Sequence, residues 1–239
     1  MTAQEKLKMR ISNGYHICVG LDTDKSKIPQ HLSADRNGVL EFNKSIIECT
    51  YDIAAAYKIN FAFYEEAGPE GMEMLTKTLE IIPDDILVIG DAKRGDIGNT
   101  SQMYAKSLFD HYNLDASTLS PYMGKDSLQP FLDYKDKLNF ILALTSNPGS
   151  QDFEKLELTS GKKVYQEVIE KINSWNSSRN CGIVFGATNL EELKVNISNF
   201  GELFILLPGI GAQGGDLKGI VSTFNEYSNK NYIINVSRT

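Results

Sequence analysis

Apolar residues along the chain fall into short unbroken runs separated by stretches in which they recur every three or four positions. The first pattern suits strands buried on both faces, and the second suits amphipathic helices. Residues 3–12 read as a short helix, and residues 15–22 as a buried strand ending in the carboxylate Asp22. Val39, Leu40, Phe42, Ile46 and Ile47 mark a helix, and a second strand over 54–64 carries Lys58 in its apolar interior. Gly68-Pro69 opens a helix bearing Met72, Leu75, Leu79 and Ile82, because proline fits the first helical turn, where its missing N–H is no loss. Pro83-Asp84-Asp85 then turns the chain into a third strand. The alternation continues with a helix over 99–112, a strand over 116–124, a helix over 126–135 and a strand over 140–149. After a polar excursion to Lys162 come a helix holding Val164, Val168, Ile169 and Ile172, a strand over 181–188, and a helix over 190–200. A strand over 203–211, a helix over 216–227 and an eighth strand over 232–238 complete the pattern.

Strands alternating with helices make βαβ units, whose right-handed crossovers build a parallel sheet. Eight such units predict an α/β fold of the (β/α)8 TIM-barrel class, in one domain of 239 residues. An open doubly wound sheet is the alternative, but it would gather its functional strand ends at one switch point. Here the polar exits at Asp22, Asp91, Ser146, Pro208 and Arg238 are spread over the whole strand count, and only a barrel brings them to one mouth.

Charge and cysteine content narrow the function classes. A net charge of −7 gives no basic footprint for nucleic acid or for an anionic membrane, although a small phosphorylated ligand could still bind through local donors. Cys18, Cys49 and Cys181 lie far apart without metal or disulfide spacing and are expected to be buried thiols. His16, His31 and His111 form no ligand set either, so no metal is expected, and no cofactor motif is visible. The first residues lack an apolar leader, and no long apolar run occurs, which makes a cytoplasmic location the expectation.

The candidate chemistry centres on residues 86–100, where an apolar run ends in alternating charges. Strand alternation places Asp91 and Lys93 on one face, and Asp96 follows on a short glycine-flanked loop, with Asn99 and Thr100 available as helix caps. A structural ion pair would also account for this cluster. Pro208-Gly-Ile-Gly-Ala-Gln-Gly-Gly-Asp216 is rich in glycine and precedes a helix, and Arg238 ends the next strand. Loop and arginine together suit a phosphate, which barrels commonly hold after strands seven and eight; a plain flexible turn is the alternative. Lys58 could snorkel to the surface, and Asp22 could be a turn residue.

Six segments, in order, resemble the orotidine 5′-monophosphate decarboxylase family: Gly20–Asp24, Tyr57–Asn60, the Asp91-x-Lys93-x-x-Asp96 signature, Thr145–Gly149, Pro208–Gly215 and Ser237-Arg238. The resemblance implies a cofactor-independent lyase that converts orotidine 5′-monophosphate to UMP and CO2. It implies catalytic roles for Lys58, Asp91, Lys93 and Asp96, with Lys93 delivering the proton. Asp22 and Lys58 would hold ribose hydroxyls, Ser146 the pyrimidine, and Gln213 and Arg238 the phosphate, with Pro208 and Ser237 in the same binding motifs. Asp96 and Thr100 would reach the neighbouring subunit's site in a homodimer. Two rivals remain open: a metal-dependent sugar-phosphate lyase or isomerase sharing the barrel, and a silent phosphate-ligand binding barrel. In the family a further helix usually follows strand eight. The sequence ends at Thr239, so a barrel without its last helix is expected.

Overall fold

The computed structural model describes residues 1–32, 36–211 and 214–237, apart from the side chain of Arg36. Gln213 and Arg238 therefore lie outside the described residues. Within them, β1 (Ile17–Gly20), β2 (Ala54–Asn60), β3 (Leu87–Arg94), β4 (Ala116–Leu119), β5 (Leu138–Leu144), β6 (Cys181–Phe185), β7 (Phe204–Leu207) and β8 (Tyr232–Val236) pair in sequence order as a closed barrel. All pairings are parallel, and the seam closes with Ile17 opposite Ile234 and Cys18 opposite Asn235. Both faces of these strands are covered, which is why their sequences are runs of apolar residues rather than alternations.

Helix α1 (Ala3–Ser12) precedes β1 and lies across the amino-terminal ends of the strands. Its Ala3 N–H donates to Asp136 O at 2.8 Å, and Lys6 pairs with Asp115 at 2.8 Å. Ala3, Leu7 and Ile11, spaced one helical turn apart, are buried with Cys18, Ala56, Leu87 and Leu138 and seal that end of the barrel. Burying the Leu7 side chain alone is worth about 1.5–3 kcal/mol. The outer layer comprises α2 (Arg36–Thr50), α3 (Ala62–Glu65), α4 (Gly68–Leu79), α5 (Gly98–Lys106), α6 (Lys125–Leu132), α7 (Val164–Trp175), α8 (Leu190–Asn196) and α9 (Leu217–Glu226).

The main departures from the sequence reading lie where strands leave the barrel. β2 ends at Asn60, because the Asn60 carboxamide accepts the Ala62 N–H at 3.2 Å and the chain enters α3. Residues 61–64, apolar enough to read as strand, thus form a helical turn whose Tyr64 points into the core. β4 likewise stops at Leu119, five residues before Gly124. Helix α5 begins at Gly98 with Ile97 as its cap, so Asn99 and Thr100 lie inside the first turn rather than capping it. Cys18 and Cys181 are buried, whereas Cys49, expected to be buried as well, is exposed on α2. No helix among the described residues is long and apolar enough to cross a membrane.

Candidate active site

A cavity of about 690 Å³ opens at the carboxyl-terminal ends of the strands. One side of it is charged. Lys58 Nζ, on β2, donates to Asp22 Oδ1 and to Asp91 Oδ2, both at 3.1 Å. Lys93 Nζ donates to the other oxygen of Asp91 at 2.7 Å. Asp22, Lys58, Asp91 and Lys93 therefore form a chain of alternating charges supplied by the exit of β1 and by β2 and β3. Burial grades along it: the Lys58, Asp22 and Asp91 side chains are 5%, 7% and 10% exposed, but that of Lys93 is 51% exposed. The lysine at the end of the chain is thus the one open to a ligand. Lys58 is enclosed by carboxylates rather than snorkelling outward.

Burial works against a charged Asp91, yet Lys58 and Lys93, with the hydrogen bonds from Lys93 and Thr118, outweigh it and bring the carboxyl down to about 2. Burial would likewise depress Lys58, but Asp91 and Asp22 beside it hold it above its ordinary value. Both groups are consequently ionised across the neutral range.

Asp91 and Lys93 meet as the sequence predicts, though not by strand alternation. Lys93 has φ of +47°, in the left-handed region, and the β3–β4 register shifts between Gly90 and Arg94. Such a backbone costs a non-glycine residue about 1–3 kcal/mol and persists only where its surroundings hold it. Thr118 does so: its hydroxyl accepts the Lys93 N–H at 3.0 Å and donates to Asp91 Oδ1 at 2.8 Å. Sequence reasoning missed Thr118, whose only signal was a hydroxyl in a buried strand.

The opposite wall is apolar, built from Leu142, Val184, Leu206 and Ile210. Ser146 lies on it, with its hydroxyl donating to Pro208 O at 3.2 Å. Gly186 makes room there, because a Cβ at that position would fall 2.5 Å from Ser146 Oγ. Ser237 and Asn235 close the ring from β8, and the Asn235 Oδ1 is buried without a hydrogen-bond partner among the described residues. Asn60, the last residue of the Tyr57–Asn60 segment, is also in the lining but was given no role from the sequence, and Asn235 was missed altogether, its signal being a polar residue at an inward position of β8.

Above this wall, Gly209 and Gly211 adopt φ of +105° and +77°, conformations open to glycine, and Gly215 N–H closes the loop onto Gly209 O at 3.0 Å. Asp216 then caps α9 by accepting the Gly219 N–H at 3.0 Å. The loop therefore delivers its backbone to the rim of the cavity next to Pro208. Asp96 accepts the Ile97 N–H at 2.8 Å, and neither it nor the exposed Thr100 lines the cavity of its own chain.

Fold and pocket together define a (β/α)8 barrel with a charged cavity at the carboxyl ends of its strands, where barrel enzymes carry their chemistry. Residues 15–239 match the family described as Orotidine 5′-phosphate decarboxylase / HUMPS family. The orotidine 5′-phosphate decarboxylase of Herpetosiphon aurantiacus is 47% identical over 229 residues, spanning 95% of this chain and 84% of the relative. That of Christiangramia forsetii is 45% identical over 241 residues, spanning 100% and 88%. Among solved structures, Leishmania donovani OMP decarboxylase superposes with a TM-score of 0.88 at 39% identity, covering 100% of this chain and 90% of that one. The chain belongs to the orotidine 5′-phosphate decarboxylase / HUMPS family.

Proposed function

We propose that the protein is an orotidine 5′-phosphate decarboxylase, a carboxy-lyase of pyrimidine biosynthesis that converts orotidine 5′-monophosphate to UMP and CO2 without a cofactor. The observation that carries this reading is the Asp22–Lys58–Asp91–Lys93 chain, in which three buried ions fix the fourth, Lys93, at an open pocket. Breaking the bond between C6 and the carboxylate leaves an electron pair in the ring plane, outside the π system. Fixed charge must then stabilise it, and a preorganised ammonium does so without reorganising at the moment of reaction. Lys93 Nζ delivers its proton to C6 as CO2 departs and regains one from solvent. Asp91 faces the substrate carboxylate and holds Lys93 in place.

Asp22 and Lys58 hold ribose hydroxyls, Ser146 contacts the pyrimidine, and the Pro208–Gly215 loop with Gln213, Ser237 and Arg238 holds the phosphate. Support for the loop assignment comes from its glycine conformations and its place after β7. Asp96 and Thr100 complete the site of a partner subunit in a homodimer. The exposure of Ile97 and Met103, on the same loop and helix as Asp96 and Thr100, supports such an interface. The location is the cytoplasm. The test is to follow the loss of orotidylate absorbance with and without a chelator. Turnover unaffected by the chelator is expected; activity that stops with it, or no turnover at all, would overturn the reading.

A further inference from the structure

Behind Ser146 the structure holds a carboxylate that the reaction does not use. The polar excursion between β5 and α7 folds back so that Glu154 meets Thr145, the residue before Ser146. Glu154 Oε2 accepts the Thr145 N–H at 2.7 Å, and the Thr145 hydroxyl, with one hydrogen to donate, lies within reach of both Glu154 Oε1 at 2.9 Å and Asn147 Oδ1 at 2.7 Å. Among the described residues the hydrogen bonds accepted by the Glu154 carboxylate all come from Thr145, so its charge is directed at this one residue. From the other side Asn189 Nδ2 donates to Thr145 O at 3.0 Å, and Asn189 Oδ1 accepts from Lys155 at 2.8 Å. Lys155 is in turn paired with Glu192 at 2.6 Å. The excursion is itself pinned, since Tyr165 N–H donates to Glu154 O at 2.9 Å and Val164 N–H to Leu156 O at 3.0 Å. Both backbone polar groups of Thr145 are therefore tied to side chains from sequence-distant segments at the point where β5 ends. A strand exit held in this way cannot rotate Ser146 off the cavity wall.

We infer that Glu154 is a positioning residue for pyrimidine recognition: its carboxylate fixes Thr145 and so holds Ser146 against the ring-binding wall. The inference rests on the assignment of Ser146 to the pyrimidine given above. Glutamine in place of Glu154 keeps an oxygen for the Thr145 N–H, whereas alanine removes both acceptors.

The test compares Ser146→Ala, Glu154→Ala, Glu154→Gln, Thr145→Val and the double variant Ser146→Ala/Glu154→Ala in steady-state kinetics, with thermal unfolding recorded for each. Glu154→Ala is expected to lower kcat/KM about 10- to 100-fold, the loss ordinary for a hydrogen bond to a charged group, and Glu154→Gln to restore it to within about fivefold of wild type. Thr145→Val, which removes only the hydroxyl, should fall between them. If Glu154 acts through Ser146, the double variant is no worse than the poorer single variant. Losses that multiply, or a Glu154→Ala enzyme that stays within about twofold while Ser146→Ala is impaired, overturn the inference alone. Should Glu154→Ala fail to fold, Thr145→Val decides by the same comparison with Ser146→Ala. A Ser146→Ala enzyme with unchanged kcat/KM removes the Ser146 assignment, and the inference falls with it.

Discussion

Replacing Lys58 by methionine keeps an unbranched side chain of similar volume and removes the ion that joins Asp22 to Asp91. Two nearly buried carboxylates are then left facing each other without their shared cation. The structure puts a figure on part of the penalty. The Asp91 carboxyl sits at about 2 instead of 3.8. If it returns to its ordinary value, about 2.4 kcal/mol of stability at neutral pH is lost, at about 1.4 kcal/mol for each pH unit. Removing one member of a buried ion pair generally costs about 3–5 kcal/mol. At about 2–4 °C per kcal/mol for a chain of this size, the melting temperature should fall by roughly 6–20 °C.

The pH dependence gives the prediction its sign. A depressed carboxyl contributes stability that is fully present above its unfolded value and is lost as pH falls through its folded value, here between 3.8 and about 2. At pH 3 the wild type has already surrendered about half of that contribution, so the gap between wild type and variant should narrow by about 1 kcal/mol relative to pH 7. Lys58 itself, raised above its ordinary value, contributes stability that is lost only at high pH, and it does not alter this comparison. Urea unfolding at pH 7 and pH 3 measures both quantities. A variant as stable as wild type at pH 7, or a gap that does not change with pH, would refute the electrostatic account of the Lys58 site.

Lys93→Ala should abolish turnover while UMP still binds, since its ammonium acts on the developing carbanion; near-normal turnover would reduce the cluster to a structural ion pair. Arg238→Ala should weaken the nucleotide strongly and orotidine, which has no phosphate, hardly at all; equal losses in binding assays of the two would remove Arg238 from the phosphate site. Mixing inactive Lys93→Ala with inactive Asp96→Ala subunits should restore activity to roughly a quarter of wild type, because half the dimers are mixed and one of two sites in each is intact. No recovery despite demonstrated subunit exchange would assign Asp96 to its own chain's site.

The barrel was legible because strands covered on both faces must be apolar runs, and helices on its outside must carry an apolar stripe. Element ends were less legible. The segment Phe61–Tyr64 has the composition of a strand, and only the Asn60 carboxamide turning back on Ala62 N–H makes it helical. Within the site, Asp91 and Lys93 were placed together for a reason that holds only in part, since their meeting needs the left-handed backbone at Lys93 and the Thr118 hydroxyl. Thr118 and Glu154 act through pairings across 25 and 9 residues, and no local pattern announces such partners. Asp96 and Thr100 carry a motif that one chain leaves outside its own pocket.

The seam between β1 and β8 has a consequence for motion. Asp22, Lys58, Asp91 and Lys93 come from the first three strands and their exits, while Pro208, Ile210, Asn235 and Ser237 come from the last two and their exits, and both groups line one cavity. They face each other only while Ile17 is paired with Ile234. Any ligand that spans the cavity therefore acts as a staple across this seam, and it favours the closed form by RT ln(1 + [L]/Kd). Amide hydrogens of β1 and β8, at opposite ends of the sequence, should then slow their exchange with solvent deuterium together and in proportion to occupancy. Ligand binding and the integrity of the seam are thereby thermodynamically linked.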